Sequence, residues 1–181
     1  MQKKYSECYN LLNNSLGQAG TRSDEFNFWM AECRLRLGNN QAAAELFSQS
    51  SKIHKLPSRR AEACISESIA QSSMKHWHQA VEILGHNGSP FKTYAQSNPK
   101  SELGRLGNFV LADAMLNIKG MENDASSIVM ANVSVGKSAF LQQRFNILRA
   151  YILSRQTNDA DHQEAIKIID TQLSKTSCSI S

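Results

Sequence analysis

The chain has 181 residues, within the range of a single domain, and its 41% apolar and 20% charged content is enough to bury a core. Three prolines and nine glycines exclude collagen-like and turn-dense all-β chains. The longest apolar runs, such as 109–116, fall far short of the ~18–20 residues that a membrane span needs.

The net charge of +4 sits in the first third: residues 1–60 hold nine Lys or Arg against five Asp or Glu. Much of that excess lies in 52–60, a short basic segment that reads as a solvated connection between helices, so nucleic acid is not an expected partner. Apolar residues recur at helical spacing between breakers, and convincing alternating runs are absent, so the chain reads as all-α. Helices are predicted over 3–16, 23–37, 40–54, 58–74, 76–85, 100–119, 122–133, 137–155 and 160–174. Gly20, Gly38, Gly85, Gly88, Gly120 and Gly136 fall where the periodicity lapses, as helix ends do. All three prolines stand where a helix could begin: Pro57 ahead of a long stretch without a breaker, and Pro90 and Pro99 each behind a capping residue, Ser89 and Asn98. The segment 85–100 is the longest connection, with a short helical piece over 90–97, and 175–181 is a polar tail.

One pattern occurs five times. A small residue is followed at +3 and +4 by two apolar ones: Cys8-Leu11-Leu12, Ala43-Leu46-Phe47, Ala80-Ile83-Leu84, Ala125-Ile128-Val129 and Ala165-Ile168-Ile169. The small side chain permits close approach of a neighbouring helix, and the apolar pair forms a buried stripe. Successive small residues are 35, 37, 45 and 40 positions apart, the period of stacked helical hairpins.

In this period, and in 24-DEFNFWMAECRLRLGNNQAAAELFSQSSKIHKLP-57, the chain resembles the tetratricopeptide repeat (TPR) family. Met30 and Ala31 take the family's apolar-small pair, Gly38 its interhelix turn, Ala43, Phe47 and Ser50 the second helix's positions, and Pro57 closes the unit. Arg34 stands where the family usually has an aromatic residue, and Glu67 and Gln71 stand at normally apolar positions. The resemblance implies one domain over 1–174, built of antiparallel hairpins stacked into a right-handed solenoid. It further implies a protein or peptide partner in the concave groove, at Glu25, Phe28, Glu32, Leu35 and Arg36. Phe26, Met30, Cys33 and Leu37 are the expected core stripe of the same helix.

Segment 3–16 reads as a second helix without its first, so Tyr9, Leu11 and Leu12 are expected to expose an apolar stripe and drive weak self-association. This also favours a piece of a longer protein.

Chemistry-bearing motifs are few. Segment 131-ANVSVGKS-138 fits a relaxed phosphate-loop pattern with Lys137 and Ser138 in the phosphate and magnesium positions. No strand ending in Asp follows it, so Gly136 is expected to end one helix and Lys137 and Ser138 to open the next. His78, Glu82 and His86 share a helix face, but three ligands over two turns span ~12 Å, too far for one ion. The four cysteines form no CxxC pair, and Cys33 and Cys64 read as small core residues of a protein in a reducing, cytoplasmic compartment. The last four residues, 178-CSIS-181, match a prenylation box but lack a polybasic second signal. No enzyme activity, cofactor or metal is expected. The function expected is a protein-interaction scaffold, with an effector-sensing or oligomerisation segment of a larger regulator as the alternative.

Overall fold

The computed structural model describes residues 2–177, so the 178–181 box lies outside the described residues. Among them there are ten α-helices and no strand: α1 (Gln2–Ser15), α2 (Ser23–Arg36), α3 (Asn40–Ile53), α4 (Pro57–Ser73), α5 (Trp77–Gly85), α6 (Pro90–Ser97), α7 (Glu102–Met115), α8 (Glu122–Asn132), α9 (Ala139–Ser154) and α10 (Asp159–Ser177). None of these helices is long and apolar enough to cross a membrane.

Local chemistry sets most helix starts. Asn39, Ser89, Ser101 and Ser138 each accept a backbone N–H from the third residue on, capping α3, α6, α7 and α9. Pro57 and Pro90 take the first position of α4 and α6, where the missing N–H costs nothing. Pro99 does not start a helix. Asn98 instead ends α6, and α7 begins at Glu102 because Ser101 supplies the cap. The helix expected over 100–119 is therefore shorter, whereas α10 runs on to Ser177, into the expected polar tail.

Contacts divide the chain into two compact units that meet in sequence at Pro99 and Lys100. In the first, α1 packs on α2, α2 on α3, α3 on α4, and α4 on both α5 and α6. Its core joins Phe28, Ala31, Ala43, Ala44, Phe47, Ala63 and Ala70, with Leu35, Leu46 and Met74 against it. Burying a phenylalanine such as Phe47 contributes about 2–3 kcal/mol. Phe91, also buried, gives the short α6 its anchor. In the second unit, α7 packs on α8 and α9, α8 on α9, and α9 on α10. Phe109 and Phe145 meet edge-on there, 5.8 Å between ring centroids.

The small residue of the repeated pattern is buried in α3, α5, α8 and α10, and its +4 partner is buried in α3, α5 and α8. At the ends the pattern opens: Cys8 is exposed on α1 and Ile169 on α10. The expected N-terminal stripe is split as well. Arg34 lies 3.7 Å over the Tyr9 ring and Leu12 is half-buried, which leaves Leu11 exposed, at 68%.

Candidate partner-binding face

Helices α2 and α4 lie side by side in the first unit. Glu25, Trp29, Glu32 and Arg36 recur on α2 at spacings of 4, 3 and 4, so they share one face. Arg59, Glu62, Ser66 and Ile69 do the same on α4. The two rows are joined across the gap. Arg59 Nε lies 3.8 Å from Glu25 Oε1, its guanidinium sits 5.3 Å over the Trp29 ring, and Nη1 pairs with Glu62 Oε2 at 2.7 Å. Further along, Ser66 Oγ donates to Glu32 Oε1 at 3.3 Å, and Arg36 Nε stands 3.6 Å from Glu32 Oε2. Trp29 projects from this polar frame with 47% of its surface exposed.

A buried polar cluster braces one end. His54 follows α3, and its Nδ1 accepts the N–H of Leu56 at 3.2 Å. The ring proton of the neutral form therefore belongs on Nε2, which lies 3.3 Å from Glu25 Oε1. Asp24 accepts the backbone N–H groups of Glu25 and Lys55 at 3.0 and 3.4 Å. Burial pushes the Asp24 carboxyl up, but these N–H groups and the nearby His54 and Lys55 outweigh it, and the net direction is down. Asp24 thus ties the start of α2 to the α3–α4 connection and holds Glu25 in place.

Of the five residues expected in a groove, Glu25, Glu32 and Arg36 lie on this face. Phe28 does not. Its side chain is 1% exposed, edge-on to Phe47 at 5.7 Å and to His54 at 6.5 Å. Leu35 is half-buried against the same core. The reason is that α2 is covered on several sides, by α1, α3 and α4, so it buries apolar residues beyond a single stripe. Trp29, one position on, was missed, although its spacing from Glu25 and Glu32 places it on the same face.

The other candidates fall elsewhere. In the phosphate-loop segment, α8 ends at Asn132 and Ser138 caps α9. Glu102 fills the space a phosphate would need: its Oε1 accepts the N–H groups of Lys137 and Ser138 at 2.9 and 3.3 Å. These N–H groups, with Arg105 beside them, hold the Glu102 carboxyl below its usual range. Arg105, 1% exposed, donates to Glu102 and to the carbonyl of Asn132. It also lies where a side chain at Gly136 would go: a Cβ there would meet Nη1 at 2.1 Å, and φ is +89°. His78, Glu82 and His86 are all exposed, and among the described residues no three His, Cys, Asp or Glu gather as metal ligands. Cys33 and Cys64 are buried, and burial pushes both thiols up to about 11, which makes them poor nucleophiles.

No protein-family model, curated protein or solved structure matches this chain.

Proposed function

We propose that the chain is a non-enzymatic, TPR-like protein-interaction module whose α2–α4 face holds a peptide or helix of a partner protein. The observation that carries this reading is the half-exposed Trp29, set in a frame of Glu25, Glu32, Arg36, Arg59 and Glu62. A large amphipathic ring held in position by a guanidinium, with charged groups at its rim, is the composition of an interface hot spot. The hairpin period of the sequence and the consecutive packing of α2, α3, α4 and α5 support the repeat reading.

The test is affinity capture from cell extract with the wild-type chain and with Trp29→Ala plus Arg36→Glu. Both side chains are exposed, so the variant should stay folded, at a small cost in melting temperature, while losing the captured partner. Recovery of the same proteins by both would refute this face. In a Trp77→Phe background Trp29 is the sole tryptophan, and partner binding should shield it from iodide quenching.

A further inference from the structure

The second unit repeats the theme of a guanidinium on aromatic rings, with one difference. Between α7 and α9 lies an open cleft of about 450 Å³. Phe109 and Asp113 form its α7 wall, and Phe140, Gln143, Arg144 and Ile147 its α9 wall. The Arg144 guanidinium rests 4.5 Å from the Phe140 ring centroid and 5.4 Å from that of Phe109. Arg59 in the first unit is likewise set on rings, but Glu62 neutralises it at 2.7 Å. Arg144 has no such partner: among the described residues no carboxylate lies within 4.0 Å of it. Asp113, on the facing wall, is half-buried and stands more than 4.0 Å from the exposed Arg144; burial pushes its carboxyl up and Arg144 draws it down, with the net direction up.

We propose that this cleft binds a partner peptide segment that pairs an acidic side chain with apolar ones, Arg144 taking the carboxylate. Ring faces orient the planar guanidinium, and with no carboxylate within 4.0 Å its donors are open to an incoming one. Phe140 at 58% and Ile147 at 45% exposure supply apolar surface on either side of it. The openness of these walls fits side chains projecting from a larger partner better than a small molecule, which needs most of its surface enclosed. Because Arg144 is exposed at the cleft and Asp113 is half-buried in its wall, the charge that a partner meets is positive, which favours an acidic segment over a basic one.

The experiment is a display selection of short random peptides on the intact chain, discarding peptides that the Arg144→Glu variant also retains. The survivors should combine Glu or Asp with Leu, Ile or Phe. Synthetic copies should bind Arg144→Glu about tenfold more weakly or worse, and a Glu→Gln change in the peptide should cost a similar factor. Phe140→Ala, a second variant at an exposed position, should weaken them as well, with the far-UV spectrum of both variants unchanged. A selection in which no peptide distinguishes the wild type from Arg144→Glu would overturn the proposal, and so would survivors that are neutral or basic. Trp29→Ala plus Arg36→Glu should leave the selection intact, so this site and the α2–α4 face can fail independently.

Discussion

Glu67 offers a measurable consequence of burial. It lies on α4 with 9% of its surface exposed, near Ser48 and Lys52 of α3. Burial raises its carboxyl from 4.5 to about 7, more than Ser48 and Lys52 lower it. The folded chain therefore binds a proton that the unfolded chain has released between these two values. Stability from this group is fully present below about pH 4.5 and is lost as pH rises through about 7. At about 1.4 kcal/mol per pH unit, the rise amounts to about 3 kcal/mol. Glu67→Gln keeps the shape and the hydrogen-bonding oxygen but cannot ionise. Its stability relative to wild type should climb by up to about 3 kcal/mol between acid and pH about 8. Urea unfolding followed by tryptophan fluorescence suits the test, because both tryptophans, Trp29 and Trp77, belong to the first unit. A difference between Gln and Glu that is the same at both pH extremes, or that shrinks as pH rises, would refute the reasoning.

Phe28→Ala should cost about 3–5 kcal/mol in the same unfolding assay, whereas Trp29→Ala should cost far less, since only the first fills the core. Gly136→Ala should destabilise the second unit by at least about 1–2 kcal/mol from the left-handed backbone alone, with the displacement of Arg105 added; circular dichroism on heating would read it. Titration calorimetry with ATP and magnesium should give no heat of binding, because Glu102 already occupies the N–H groups of Lys137 and Ser138. Glu102→Gln should destabilise the second unit at neutral pH but not below the carboxyl's own titration: its lowered folded value means the stabilisation is lost as pH falls.

The helices were legible because their punctuation is local. A capping serine or asparagine, a proline at the first position and a glycine past the last one each act within a few residues, so α3, α4 and α6 begin within a residue of where the sequence places them. Asn98-Pro99 misled because the same dipeptide can end one helix as well as start another, and Ser101, two residues on, competes for the cap. The buried alanines of the repeat were legible for a similar reason, as the spacing of small and apolar residues reports helix-on-helix contact directly. The site was only half legible. Glu25, Glu32 and Arg36 follow from the family resemblance, but the choice between Phe28 and Trp29 depends on which neighbours cover α2. Arg59, Glu62, Arg144 and Glu102 act across helices through contacts that no spacing along one helix reveals. The widest repeat spacing, from Ala80 to Ala125, accommodates α6 and spans the boundary between the two units.

The packing of Arg105 against Gly136 has a consequence for how this sequence can change. The guanidinium occupies the volume that any side chain at position 136 would claim, while its charge balances Glu102. Replacement of Gly136 therefore displaces the Arg105 side chain from its place beside Glu102, on top of the cost of the left-handed backbone. Loss of Arg105 first would open that volume but strip Glu102 of its counter-ion. Positions 102, 105 and 136 are thus coupled: a change at one alters the cost of a change at the others, while the left-handed backbone at 136 disfavours a side chain there whatever stands at 105. A library randomised at all three positions together should yield solutions that single-site variation never visits.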